Sequence, residues 1–419
     1  LSILVQGQKK AVVRGEVFGL AERLTRTGLK IVSFSITDGQ DSIACKCFCD
    51  PEEPPFELSE GQWARVLGDV QYDQYAREIV LAVSGIMPDS KPTRLDTAPD
   101  KRIELHLHTK MSAMDSVCDV ESAIRQAAAW NHQAVAITDH GVVQSFPDAF
   151  AAGKKHGVKI IYGMEGYLVD DVAADDSPTY HVTILARNAA GLRDLYMLVS
   201  ASHLNYFYRH PRIPRTLLAQ VRSNLLIGSA CAAGELFRAA LDGASDEELD
   251  RIARFYDYLE IMPAGNDEFL IRSGRLRGID EVQAIAVRMC SIGKRLQIPV
   301  VATGDVHFLD PVDEAYRRVL MAGQGYEDAD HQAPLYYHTT DEMLRDFAYL
   351  GEQVSREVVI DNPRIIAGQV ECMRPVPDEL ATPEIEGADE EVRARTYGRA
   401  RELYGDPLPE PVRSRLERE

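Results

Sequence analysis

The sequence predicts a multidomain chain: a small N-terminal β-barrel, a larger α/β domain and a helical connector. Three observations carry this. Five short apolar runs separated by turn residues crowd into residues 1–87. From Ile103 onward, apolar strand-like runs alternate with helical stretches. Charged helical patterns then run from Glu390 to Glu419, broken at Gly405-Asp406-Pro407. With 419 residues there is length for two or three domains and a large core.

The barrel strands are read at Ala11–Val17, Lys30–Asp38, Ser42–Cys45, Trp63–Val70 and Arg77–Val83. Residues 88–102, rich in Pro, Asp, Ser and Thr, read as a linker. In 103–375, strands are expected at Ile103–Thr109, Ala134–His140, Lys159–Glu165, Tyr180–Ala186, Asn224–Cys231, Tyr258–Met262 and Pro299–His307. Helices between them are expected at Asp119–Trp130, capped by Asp119 or Ser116, and at Phe146–His156, Gly191–Ser202, Asp246–Arg254 and Asp280–Leu296. Seven such strands imply a parallel sheet covered by helices, most simply a closed barrel. Beyond Leu309, helices at Asp341–Tyr349 and Ser355–Val359 lead into the connector, 376–419.

Composition narrows the function. A net charge of −19 excludes a chain wholly coated for nucleic acid, although Ser202–Arg215 is locally basic and aromatic. The seven cysteines show no secreted disulfide framework, and Cys45, Cys47 and Cys49 line one strand face without the distant second cluster of a zinc ribbon. No apolar run reaches the length of a membrane span and no leader opens the chain, so a soluble, cytoplasmic protein is expected. Leu1 at the start and a charged helical pattern at Glu419 suggest a piece of something longer.

His106 and His108, two apart on a strand, present their imidazoles on one face, which is half of a metal site. In β/α barrels the chemistry sits at the C-terminal strand ends. Those ends carry His106, His108, Asp139, His140, Glu165, Cys231, Asp305 and His307; Asp115 lies in the loop after the first strand, and His181 sits early in its strand. Taken singly, each has a plainer reading beside it, Cys231 as a small core residue, His181 as a core histidine and Asp305 as a turn former, but chance is a poor explanation for the whole set.

The barrel segment, with Val-Arg-Gly-Glu-Val-Phe, Phe-Ser-Ile-Thr-Asp-Gly and Val-Leu-Gly-Asp-Val, resembles an OB-fold that binds single-stranded nucleic acid, for which Phe34, Phe48, Tyr72, Tyr75, Arg65 and Arg77 are contact candidates unless the aromatics are core. His-Leu-His-Thr, Ile-Thr-Asp-His-Gly, Gly-Met-Glu, Tyr-His-Val-Thr, Gly-Ser-Ala-Cys and Thr-Gly-Asp-Val-His resemble the successive motifs of the PHP (polymerase and histidinol phosphatase) family. Nearly the whole chain resembles the PolC-type class of bacterial DNA polymerase III alpha subunits, including His-Thr-Lys-Met-Ser-Ala-Met-Asp and Tyr-Phe-Tyr-Arg-His-Pro-Arg-Ile-Pro-Arg.

That resemblance implies a distorted seven-stranded β/α barrel. It places His106, His108, Asp115, His140, Glu165, His181, Cys231, Asp305 and His307 at the nine ligand positions of a centre of two or three divalent ions, zinc and/or manganese. His106, His108, Glu165 and Asp305 would act through those ions. Two departures stand out: the proofreading exonuclease usually inserted in this domain is missing near residues 171–177, and the polymerase palm would lie beyond Glu419. Implied partners are DNA, the remaining polymerase domains and replisome proteins such as the sliding clamp, with no membrane.

Three functions share this site: hydrolysis at DNA 3′ ends, a structural metal scaffold, and hydrolysis of a small phosphate or pyrophosphate. For the first, Tyr206, Tyr208, Arg209 and Arg212 are candidates to stack on and neutralise a strand, the alternative being a packed loop.

Overall fold

The computed structural model describes residues 4–25, 28–39, 41–50, 58–91, 93–170, 177–377 and 384–419. The expected insertion point near 171–177 thus lies largely outside the described residues. Two compact units divide at Pro375/Val376. The second holds helices Ala388–Tyr404 and Glu410–Arg418.

In the first unit, strands β1 (Ala11–Leu24), β2 (Lys30–Thr37), β3 (Ser42–Cys49), β4 (Trp63–Asp73) and β5 (Glu78–Pro88) close into a barrel in the order β1-β2-β3-β5-β4. Only the β3/β5 pair is parallel. This is the OB-fold arrangement, a five-stranded Greek-key barrel. Alternating side chains fill its interior: Val13, Val17, Val32, Ile36, Cys45, Cys47, Val66 and Leu81 are buried. Closure needs Gly15, where a Cβ would sit 2.1 Å from Thr37 O. The cysteine triplet faces this core as free thiols, and burial pushes Cys45 up to about 12.

The stretch that follows is fastened to the α/β part. Arg94 donates to Leu309 O and Tyr337 O and pairs with Glu342, while its guanidinium lies over the Trp130 and Tyr336 rings. Asp96 accepts from Thr340 N and Oγ1 and bonds His132 Nε2 at 2.8 Å. Arg102, wholly buried, pairs with Glu104 at 2.6 Å.

The α/β part is a ring of strands: β6 (Ala134–Ile137), β7 (Lys159–Val169), β8 (Tyr180–Ala186), β11 (Leu225–Gly228), β12 (Leu259–Ile261) and β13 (Val300–Ala302), with the extended run 103–109 as seventh member. Full ladders join β6-β7-β8-β11 and β12-β13. Single bridges, Glu104↔Val135, Leu107↔Val306 and Gly228↔Tyr258, complete the circuit. A hairpin of β9 (Phe207–Tyr208) and β10 (His210–Pro214) flanks β7. Helices Val120–Ala129, Phe146–His156, Ala189–Leu204 and Ile279–Leu296 pack outside, the first capped by Asp119.

One expectation fails: the ring is not all parallel, because β8 runs against both β7 and β11. Too few residues separate Val169 from Tyr180 for the crossover helix that a parallel return requires.

Candidate metal centre

The reversal of β8 builds the site. Running antiparallel, it pairs His181 with Tyr167 near the C-terminal end of β7, so a histidine early in its own strand arrives where the neighbouring strands finish. His140 bridges to Glu165, and His181 to Gly234, whose amide caps the Cys231 turn. The bridge Leu107↔Val306 sets His106 and His108 beside Asp305 and His307.

All nine expected ligand residues converge. His106 and His108 Nε2 stand 3.1 Å apart. Glu165 lies at the middle: Oε1 is 3.4 Å from His106 Nε2 and 2.9 Å from His181 Nδ1, and Oε2 is 2.9 Å from His140 Nδ1. Cys231 Sγ lies 3.3 Å from His181 Nδ1 and 3.5 Å from Glu165 Oε1. Asp115 Oδ2 meets His140 Nε2 at 3.1 Å and His307 Nε2 at 3.2 Å. Within each of three triads the donor atoms lie within 4.8 Å of one another: His108 with His140 and His307, His106 with His108 and Glu165, and His140 with Glu165 and His181.

These contacts fit cation ligation better than hydrogen bonding. Asp305 Oδ1 is buried without a hydrogen bond, although His108 and His106 Nε2 stand 3.3 and 3.5 Å away. His140 Nδ1 likewise lacks an aligned bond despite its closeness to Glu165. Buried polar atoms left so are uncommon, and a cation held together with its neighbouring donors would satisfy each. Five imidazoles, three carboxylates and a thiol suit zinc or a similar transition ion rather than an all-oxygen magnesium site. Asp305 also takes a left-handed backbone, φ +51°, rare for a non-glycine residue.

The charges belong together. Burial would raise Glu165, but His181 and His106 overcome it and hold the carboxylate well below its usual range. Asp305 is lowered against burial by His106 and His307, and Asp115 against burial by His307 and His140. Burial, with His140 and His307, pushes His108 down to about 3, whereas Asp115 and Glu165 outweigh burial and lift His140 to about 10.

A surrounding layer aims these candidate ligands, and of its members sequence reasoning had found only Asp139. Glu260 Oε2 sits 2.9 Å from His106 Nδ1 and also accepts from Thr303 Oγ1. Ser112 Oγ meets His108 Nδ1 at 3.0 Å and donates to Asp139, whose carboxylate also gathers Thr109 and Ser145. The occupied Nδ1 atoms turn both Nε2 atoms inward. Arg317 pairs with Asp115. Glu260 carried a readable signal, a carboxylate inside the apolar strand Leu-Glu-Ile; Ser112 carried none.

Two of the nucleic-acid candidates are corrected. Phe34 is 2% exposed because its position on β2 points into the barrel core, so it cannot stack on a base. Arg212 is 5% exposed and spends its Nε on Tyr206 O, because β10 lies against β7 there. Arg65 is half exposed and paired with Asp89. Tyr206 and Tyr208 are half-buried and Arg209 is exposed. On the barrel, Phe48, Tyr72 and Tyr75 are exposed.

The model of the PHP domain matches residues 104–265. The protein named DNA polymerase III PolC-type from Clostridium perfringens is 33% identical over all of this chain and 43% of its own length, and that from Bacillus subtilis is 30% identical over all of this chain and 44% of its own. The chain therefore spans less than half the length of these relatives. The alignments run to 620 and 627 positions against 419 residues here, so the relatives hold a long stretch opposite gaps in this chain. Among solved structures, a putative metal-dependent phosphoesterase from Bifidobacterium adolescentis covers 50% of this chain and 88% of its own at 17% identity and TM-score 0.26. The second OB-fold domain of replication protein A from Methanococcus maripaludis covers 22% and 96% at 22% identity and TM-score 0.18. Residues 104–265 form a PHP domain, and along its whole length the chain is a homologue of PolC-type DNA polymerase III.

Proposed function

We propose that this chain serves a PolC-type replicative polymerase and that its PHP centre holds two or three divalent ions, zinc or manganese, to hydrolyse phosphodiesters at DNA 3′ ends. The observation that carries the reading is the convergence of nine ligand-capable side chains with Glu165 at their middle. Bound ions would supply a water of lowered pKa and positive charge against a phosphate. The protein's part is to hold the donors: His106, His108, Glu165 and Asp305 at the heart, Asp115, His140, His181, Cys231 and His307 around them. Glu260 and Ser112 keep His106 and His108 in the tautomers that leave Nε2 free, and Arg317 offsets the Asp115 charge. The barrel would bring single-stranded DNA, with Arg65 as a phosphate contact and Tyr206, Tyr208 and Arg209 nearer the centre. The insert absent near 171–177 corresponds, on this reading, to the long stretch the relatives carry. The sliding clamp and other replisome partners would engage polymerase segments that this chain does not span, in the cytoplasm.

A structural role for the ions has one observation in its favour: His106, His108 and Glu165 are at most 1% exposed. Digestion of 5′-labelled single-stranded DNA with added zinc or manganese, beside a His108→Ala, Asp305→Ala variant, decides between them. Laddered shortening from the 3′ end that vanishes in the variant supports hydrolysis. Intact DNA with both proteins, alongside metal bound to the wild type, favours the scaffold.

A further inference from the structure

The β9–β10 hairpin turns through a single residue. Tyr208 pairs with His210, and Arg209 alone forms the tip, with φ +61°. A left-handed arginine is unusual, and such positions gather at functional sites. The hairpin is braced from within and against β7. The Arg209 and Arg212 guanidiniums lie 5.4 and 5.3 Å from the Tyr208 ring, Arg212 holds Tyr206 O, and β10 runs parallel to β7 with Arg212 opposite Tyr167. Pro211 packs so closely on Gly141, the residue after His140, that a Cβ there would come within 2.5 Å of it.

The tip keeps its polar groups open. Arg209 and His210 are exposed, and among the described residues neither side chain has an ionic or hydrogen-bonding partner. The His210 ring stacks on Tyr167 at 4.6 Å and 17°, and Tyr167 stands 6.1 Å from the His140 ring and 5.2 Å from His181. The tip therefore lies a few stacked-nucleotide rises, at roughly 3.4 Å each, from the metal ligands.

We propose that Arg209 and His210 grip a backbone phosphate neighbouring the one at the metal centre, so that the site selects a single-stranded polynucleotide over a small phosphate ester. This rests on the hydrolytic reading above and adds to it the element that sets substrate length. A guanidinium and an imidazole on a rigid hairpin match a phosphodiester oxygen pair, whereas a monophosphate or pyrophosphate bound at the ions would not extend to them.

The test uses the whole chain as wild type, Arg209→Ala/His210→Ala and Arg209→Lys. Fluorescence anisotropy follows a 5′-labelled oligothymidylate across salt concentrations. The double variant should bind about tenfold more weakly, with the slope of log Kd on log salt reduced by about 1, and the lysine variant should retain the slope. With manganese present, kcat/KM should fall far more for the oligonucleotide than for bis(p-nitrophenyl) phosphate, mainly through KM. Unchanged DNA affinity at unchanged metal content overturns the grip, as does an equal fall for both substrates. If the wild type hydrolyses neither substrate, the hydrolytic reading fails, and the affinity comparison still decides whether the hairpin holds a strand.

Discussion

Glu260→Gln is the sharpest probe of how the centre is held. The carboxylate is 2% exposed and takes three donors: His106 Nδ1 at 2.9 Å, Thr303 Oγ1 at 3.0 Å and Ala230 N at 3.2 Å. Two of these fall on Oε2 and one on Oε1, so an amide can serve only one side. If its oxygen stays toward His106, the NH2 faces the Ala230 amide and a buried donor goes unpaired, costing about 1–3 kcal/mol. If it flips, the NH2 faces Nδ1, the imidazole proton moves to Nε2, and the ligand atom is blocked. Either way His106 loses its anionic partner, and changes of this kind weaken metal affinity by about 10- to 100-fold. Competition against a chromophoric chelator measures that affinity, and thermal unfolding of the metal-free protein measures the folding cost. A control, Thr303→Val, removes one donor without touching His106 and should change affinity much less. Metal affinity within twofold of wild type for Glu260→Gln would refute the reasoning.

Metal loading should release protons near neutral pH, because His140, raised to about 10, and the Cys231 thiol, raised by burial, must both shed them. Affinity should accordingly rise with pH, which calorimetry in buffers of different ionisation enthalpy will show. Phe34→Ala should destabilise the barrel by about 3–5 kcal/mol, and Phe48→Ala by no more than about 0.5 kcal/mol, in denaturant unfolding. For Asp96, burial is outweighed by His132 and Thr340 and the carboxylate is held well below its usual value. Its stabilisation is therefore complete above the unfolded pKa of about 3.9 and is lost as pH falls below it. Asp96→Asn should flatten the acid limb of the stability curve, and an unchanged limb would count against the His132 contact.

How much of this was readable depends on what each feature rests on. The five barrel strands and the helix Phe146–His156 follow from alternation and helical periodicity, which are local. Seven of the nine candidate ligands were legible because strand ends announce themselves by the polar residue that closes an apolar run; Asp115, in a loop, and His181, early in its strand, joined the set through the family resemblance. The direction of β8 was not, since Tyr180–Ala186 reads the same either way; only the short link from β7 decides it. Phe34 and Phe48 lie on neighbouring strands of one barrel, and burial alone separates a core ring from a surface one. Asp96 and Arg94 sat in a stretch whose Pro and Ser content suggested a linker, while their partners Thr340 and Tyr337 lie more than 200 residues away. Glu260 and Ser112 act through residues brought near only by folding.

Lone bridges close the ring of strands at three places, and one of these seams, Leu107↔Val306, lies between His106 and His108 on one side and Asp305 and His307 on the other. Glu104 and Gly304, which meet there, are 200 residues apart in the chain. A cation shared across that seam would act as a reversible covalent tie closing this long loop. In the chain-entropy picture, such a tie withdraws on the order of 5 kcal/mol of freedom from the unfolded state. Amide hydrogen exchange around Leu107 and Val306 should then report metal occupancy directly, slow when loaded and fast when stripped. Cation supply would thereby regulate how firmly this domain stays closed, whatever chemistry it performs.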